Sequence, residues 1–390
     1  MATLSYRTAG ESHGKALIAL VEGMPAGVPI DIAMINAELQ RRQGGYGRGA
    51  RQKIETDTVD ILSGVRRGKS IGSPITLQIV NRDSRIDDAA AVHRPRPGHA
   101  DLAGSIKWLT TDCRETLERA SARETAARVA AGALAKCLLG QFEIEVFAVV
   151  LSVGPAVASV DWSIDIGELR RRRDGGDLFT EWVACPDAAA AEQMRAVIRQ
   201  AKIDGDTLGG VVEARVFGLP PGLGSCVQYD QRLDARLAMA VMGIQAFKAV
   251  EIGLGKEAAF LPGSKVHDEI GFDSAQQQRA SLGFVRKTNN AGGLEGGITN
   301  GQPVIVRGAM KPIATLLKPL QSVDLNTKQP EKAAYERSDV CAAPAASVVM
   351  ENVVAFEIAR AFVEKFGGDS LVEARADYES FLGLARKLPL

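Results

Sequence analysis

Between Ala126 and Leu139 the chain reads AARVAAGALAKCLL, where Arg128 and Lys136 are the only charges among Ala, Val, Gly, Leu and Cys. A helix that is apolar on every side has to be enclosed by other elements. The stretch therefore predicts a core spine around which the rest of the chain must be arranged. Ser121 and Glu124, just upstream, read as an S-x-x-E capping box that ties down the first N–H groups of this helix. Arg114, Arg119 and Arg123 gather near the same end. Free N–H groups at a helix start and guanidinium forks attract the same ligand, an anion of phosphate or carboxylate type.

Enclosing such a spine takes a large core, and 390 residues that are 46% hydrophobic supply one. No apolar run is long enough to cross a bilayer, and MATLSYRTAGESHG lacks a signal-peptide core, so a cytoplasmic location and no membrane partner are expected. Five scattered cysteines, with no C-x-x-C and no paired His, point to reduced thiols and to no metal site. The formal net charge is zero, although the N-terminal third is basic and the remainder acidic. That pattern suits a local anion site and argues against a nucleic-acid surface, which needs a strongly basic domain.

Taken in order, the first chemical signal is GESHG at 10–14, where two glycines frame Ser12 and His13 in a tight turn that can present an imidazole. A helix is expected from Asp31, as N-cap, to Gly44, followed by GGYGRGAR at 44–51, whose glycines alternate with Arg48 and Arg51. Such a loop can wrap an anion with backbone N–H groups while guanidiniums neutralise it. The stretch GVRRGKS at 64–70 resembles a phosphate-binding loop, but it is one residue short and runs into IGSPITLQIV, which is strand-like; it reads as a hairpin turn. A polar, Pro-rich loop then delivers His99 in PGHAD beside Arg94 and Arg96.

Further on, strands are expected at 143–153, 209–217 and 303–310, an amphipathic helix at 188–203, and a helix capped by Asp230 that carries Leu233, Leu237 and Val241. The run Arg170 to Arg173 reads as a solvated face. Gln245, in an apolar stretch, needs a partner. The glycine-rich segment KTNNAGGLEGGITNG suits close backbone approach, and a final helix runs from Pro344 to Phe366. Asp339, preceding it, reads as a cap on its own spacing.

Together GESHG, RRQGGYGRGAR, RPRPGHAD, RASARETAARVAAG, GIQAFK, TNNAGGLEGGITNG, KPIAT and RSDVCAAP resemble the chorismate synthase family, in one order along nearly the whole chain. The resemblance implies an α+β fold, a β-α-β sandwich with buried helices between two antiparallel sheets, in one domain over residues 1–390 that forms a homotetramer. It implies a carbon–oxygen lyase of the shikimate pathway of aromatic amino-acid biosynthesis. Such an enzyme converts 5-enolpyruvylshikimate 3-phosphate to chorismate by anti-1,4-elimination of the 3-phosphate and the C6 hydrogen, with reduced FMN as cofactor. NADPH or an external flavin reductase is the implied source of reducing equivalents.

Residue by residue, the resemblance makes His13 the proton donor to the departing phosphate and sets His99 beside the reduced flavin. Asp339 would act in hydrogen removal, with Ser12 and Ser121 supporting proton transfer. Flavin contacts fall to Arg119, Ala120, Ser121, Gln245, Ala246, Gly296, Lys311, Pro312, Ile313, Ala314, Thr315 and Arg337, and substrate anions to Arg42, Arg48, Arg51, Arg114 and Arg123. Arg42 and Arg48 also match positions associated with NADPH. An NADPH-dependent flavin oxidoreductase is the alternative, distinguished by consuming NADPH in proportion to product. A non-catalytic nucleotide-binding module is the other, distinguished by releasing no phosphate.

Overall fold

Strict alternation over Ala16–Glu22 buries Leu17, Ala19 and Val21 on one side, and over Ile75–Val80 it buries Ile75, Leu77 and Ile79. Period-two patterning of this kind makes a sheet with one face on the core. In the computed structural model, which describes residues 3–49, 55–336 and 338–389, these strands form an antiparallel sheet with Ser5–Ala9 on one edge and Asp60–Ile61 on the other. A second antiparallel sheet has the order Phe247–Ile252, Val304–Met310, Gly210–Phe217, Glu145–Val153, Ala156–Val157. GVRRGKS is a hairpin, with Val65–Arg66 paired to Lys69–Ser70.

The helices are α1 (Ile32–Gln43), α2 (Asp101–Trp108), α3 (Arg114–Ala120), α4 (Thr125–Leu139) and α5 (Ile166–Arg173), followed by α6 (Ala188–Ile203), α7 (Leu233–Met242), the short α8 (Gly263–Val266), α9 (Ala343–Phe366) and α10 (Leu371–Ala385). The predicted spine is α4. It lies against the first sheet and against α9, and α9 lies against the second sheet. This is the β-α-β sandwich expected of the chain, with both inner helices almost wholly buried. They approach tightly at Gly132, where an added Cβ would stand 2.2 Å from the Asn352 carbonyl oxygen.

Between α1, α4 and α9 the core encloses charge. Lys136 reaches Glu351 at 2.6 Å and Glu38 at 3.0 Å, Arg41 reaches Glu38 at 2.6 Å, and Asn352 donates to Glu38 at 2.8 Å. Glu351 also accepts from Arg173 at 3.0 Å. Burial alone would raise the Glu351 carboxyl pKa, but Arg41, Lys136 and Arg173 outweigh it and hold the group well below its ordinary value.

Several local expectations give way to tertiary demands. Arg173 is not solvated, because its guanidinium is drawn inward to Glu351 and the Ala148 carbonyl. The residues around it cover the outer face of the second sheet, where Phe147, Val149 and Leu169 form a separate cluster with Trp162 packed on it. No capping box starts α4. Ser121 instead accepts from Arg123 N in the 3-10 turn Ala122–Glu124, while the Glu124 carboxylate is taken by Thr8, Arg128 and Gln245. Asp230 lies in a 3-10 turn ahead of α7 and caps nothing. The chain also continues past Gly367 and Gly368 into α10, opened by a capping box of Ser370 and Glu373.

Candidate active site

Both inner helices begin at the wall of one cavity of about 520 Å³. Thr125 comes from the start of α4, and Ala342, Ala345, Ala346 and Val349 from the start of α9, which has no side-chain cap. The Ser12–His13 turn joins the first two strands of the first sheet, and Arg42, Arg48 and Gly49 arrive from the end of α1 and the loop beyond it. His99 precedes α2, Gln245 and Ala246 follow α7, and Lys311, Ile313, Ala314 and Thr315 leave the strand Val304–Met310. Segments scattered along the sequence thus meet at one point because the sandwich brings their ends to one side.

Each cavity imidazole is tied to a buried carboxylate. Glu118 accepts from His13 Nδ1 at 2.9 Å and from the His13 backbone N–H at 2.9 Å, and its side chain has no exposed surface. Asp83 stands 3.7 Å from His13 Nε2. The Ser12 and Ser121 hydroxyls are 3.2 Å apart beside this ring. His99 Nδ1 is bound by Asp101, which Arg96 grips through Nε at 2.8 Å while reaching Thr315 at 3.0 Å. Burial works to raise the Asp101 pKa, but the His99 hydrogen bond and Arg96 overcome it and keep the carboxyl well below its usual range. The ionised Asp101 accepts from Nδ1, and Arg96 Nη2 stands 3.1 Å from the same nitrogen, so Nε2 is the ring nitrogen left for a ligand.

The cationic wall is built from Arg42, Arg48 and Arg123. Asp57 Oδ2 bridges Arg42 at 2.8 Å and Arg123 at 2.7 Å, and Asp339 takes Arg48 Nη1 at 2.5 Å and the Gly49 N–H at 2.6 Å. Arg42 is only 4% exposed. Its burial, with Arg123 and Arg48 near, outweighs Asp57 and lowers its pKa to about 10. Asp339 is therefore no helix cap but the anchor of the Arg48 loop. Among the described residues, Arg42 Nε, Arg48 Nε and Gln245 Oε1 are buried without a hydrogen-bond partner, and Arg123 Nη2 has Glu55 at 3.7 Å, beyond hydrogen-bond length. A bound ligand or an ordered water can complete the bonding of such atoms.

Gln245 finds the partner its sequence context demanded, donating to Glu124 at 3.1 Å. Ala246 adopts φ +70°, and its carbonyl accepts from Lys311 N at 2.9 Å, fixing the start of KPIAT against the turn. Burial and then Lys248 hold the Lys311 amine below its ordinary value.

Among the expected site residues, Ser12, His13, Arg42, Arg48, His99, Ala120, Ser121, Arg123, Gln245, Ala246, Lys311, Ile313, Ala314, Thr315 and Asp339 line the cavity. Arg114 sits a layer behind, bound to Glu118, Glu336 and the Ala90 carbonyl. Arg119 turns to the Thr8 and Gly10 carbonyls, and neither Gly296 nor Pro312 reaches the lining. Arg51 and Arg337 lie outside the described residues. The sequence reading missed Glu118, Asp101, Asp57 and Thr125, and it noted Arg96 only as a neighbour. The Asp of PGHAD was the one readable signal, two residues from His99.

Comparison with known proteins gives one description. Residues 4–363 match the family model for chorismate synthase. The chorismate synthase of Desulforamulus reducens is 56% identical over 385 residues, covering 96% of this chain and 97% of that protein. That of Geobacter sulfurreducens is 55% identical over 396 residues, covering 98% and 99%. A crystal structure of chorismate synthase superposes with a TM-score of 0.80 at 40% identity, over the full length of both chains.

Proposed function

The chain belongs to the chorismate synthase family and is a lyase, and from that premise we propose that it forms chorismate and phosphate from 5-enolpyruvylshikimate 3-phosphate with reduced FMN. The observation that carries the reading is one cavity in which the buried Arg42 and Arg123 and the half-buried Arg48 face two carboxylate-tethered imidazoles. A substrate with two carboxylates and a phosphate matches this charge, and guanidinium forks suit both kinds of group.

The cofactor fits what the residues offer. Leu117, Ile244, Met310, Ala346 and Val349 give the cavity an apolar wall for a flat ring, and the unpaired Gln245 Oε1 offers an acceptor for a ring N–H. Gln245, Ala246 and the Lys311–Thr315 turn would hold the flavin. When bound, reduced FMN supplies electron density to the allylic system as phosphate departs and takes it back, so no net oxidation occurs.

The chain's own residues handle anions and protons. Arg42, Arg48 and Arg123 bind and orient the substrate and stabilise the charge on the departing phosphate. His13, protonated, gives its Nε2 proton to that phosphate while Glu118 retains Nδ1. His99, fixed by Asp101 and Arg96, presents Nε2 to the flavin side of the cavity. Each Asp339 oxygen makes one bond to Arg48 or Gly49 and keeps lone-pair capacity for accepting the ring proton. The two serine hydroxyls link the His13 turn to the α3 end and support proton movement between them.

Arg42 and Arg48 also serve as the contacts for NADPH in this reading, and an external flavin reductase is the other route to reduced flavin. Homotetramer assembly and a cytoplasmic location complete the proposal; no helix among the described residues is long and apolar enough to cross a membrane. An anaerobic assay with chemically reduced FMN is expected to release one phosphate per chorismate without consuming reductant in proportion. Product that tracks NADPH consumption instead would support the oxidoreductase. Repeating the assay with NADPH and oxidised FMN separates self-reduction from dependence on a reductase, and light scattering at four chain masses tests the tetramer.

A further inference from the structure

We propose that Glu118 is the positioning residue that fixes His13 in the tautomer and charge state required to protonate the departing phosphate, an inference that rests on the elimination reading above. Glu118 is on α3, far in sequence from GESHG, and its side chain is fully enclosed. It engages the His13 turn at three points: its carboxylate accepts from ring Nδ1 and from the His13 N–H, and its backbone carbonyl accepts from Ser12 N at 3.0 Å. Three bonds to one dipeptide leave the ring little freedom. A carboxylate on Nδ1 makes the neutral ring carry its proton there, and it stabilises the imidazolium whose Nε2–H is then free to be given away.

The groups facing the ring are few. Asp83 lies 3.7 Å from Nε2, beyond hydrogen-bond length, and is itself paired with Arg85 at 2.9 Å. Arg114 stands 3.4 Å from Glu118 and is shared with Glu336. Burial would raise the Glu118 pKa, but the bonds to His13 and then Arg114 keep it below the ordinary glutamate value, so it stays the ionised partner. In the step itself the His13 Nε2–H bond breaks, its proton goes to an oxygen of the leaving phosphate, and the electron pair remains on Nε2. Glu118 keeps its charge throughout, and a proton from water restores the imidazolium.

Glu118→Gln preserves shape and an acceptor oxygen while removing charge. It is expected to lower kcat by up to roughly 10²-fold, the lower end of general acid–base effects, with KM for the substrate unchanged. The basic limb of the kcat–pH profile is expected to move to lower pH, because a less stabilised imidazolium loses its proton sooner, and Glu118→Asp should partly return it. In a His13→Ala background Glu118→Gln should cost nothing further. Independently, nitrogen NMR of 15N-histidine-labelled wild-type protein, with the His13 signal assigned by its loss in His13→Ala, should show the neutral ring protonated at Nδ1. An unmoved pH limb, an equal loss of rate in the His13→Ala background, or a neutral His13 protonated at Nε2 overturns the proposal. The NMR measurement needs no turnover, so failure of the wild-type chain to make chorismate would reject the reaction while leaving this test standing.

Discussion

Gly132 of α4 and Asn352 of α9 meet backbone to backbone, so that a Cβ at Gly132 would fall 2.2 Å from the Asn352 carbonyl oxygen and 2.5 Å from its Cβ. The two inner helices are therefore spaced by the absence of a side chain. Gly132→Ala gains helix propensity worth about 1 kcal/mol, yet the methyl group must push the helices apart in a close-packed core. We expect a net loss of about 1–3 kcal/mol, as for other overpacked sites, read as a lower urea midpoint. Stability equal to or above wild type would refute this spacing.

Glu351 makes a second prediction, in pH. Burial acts to raise its pKa, and Arg41, Lys136 and Arg173 bring it well below the ordinary 4.5. A carboxyl depressed in the folded state adds stability that is complete above the unfolded value and fades as pH falls through the folded one. Glu351→Gln should accordingly cost about 3–5 kcal/mol near neutral pH, as when one partner of a buried ion network is removed. The gap to wild type should narrow below about pH 4. Urea titrations at both pH values measure it, and a constant gap would contradict the assignment.

His13→Ala and His99→Ala should each lose about 10²-fold or more in kcat while still folding, with some loss of melting temperature because, among the described residues, the buried Glu118 and Asp101 keep only Arg114 and Arg96 as charged side-chain partners. Phosphate release under anaerobic conditions with reduced FMN is the measurement. Wild-type turnover by both variants would remove the imidazoles from the mechanism.

Arg42→Lys tests the anion wall. The guanidinium holds Asp57 through Nη2, approaches Thr125 through Nη1 at 3.4 Å and has no hydrogen bond to Nε among the described residues, three directions that one ammonium cannot cover. KM for the phosphorylated substrate should rise about tenfold, equivalent to about 1.4 kcal/mol. An unchanged KM would place the substrate anions elsewhere.

Much of this architecture is legible in the chain. α6 is found at Ala188–Ile203 as its periodicity indicates, and α1 starts at Asp31, which accepts from Met34 N, and stops at Gly44. The spine is legible because α4 carries only two charges, Arg128 and Lys136, among small apolar residues. What escapes is whatever depends on a distant partner. Arg173 looks like its three exposed neighbours until Glu351 is brought beneath it, and Glu124 looks like a cap until Thr8, Arg128 and Gln245 claim its oxygens. Glu118 and Asp57 carry no local mark at all, since an acidic residue on a helix or in a loop is ordinary until an imidazole or two guanidiniums fold onto it. α10 was announced and overlooked: Ser370 and Glu373 are the S-x-x-E signature, hidden behind a pair of glycines that read as an end.

Because the cavity draws its walls from positions as far apart as Ser12 and Val349, no portion of the polypeptide that stops short of α9 contains all of them. Turnover waits on the docking of the long helix α9, so its appearance during refolding is a clock for assembly of the cavity. A half-made molecule is silent, not sloppy.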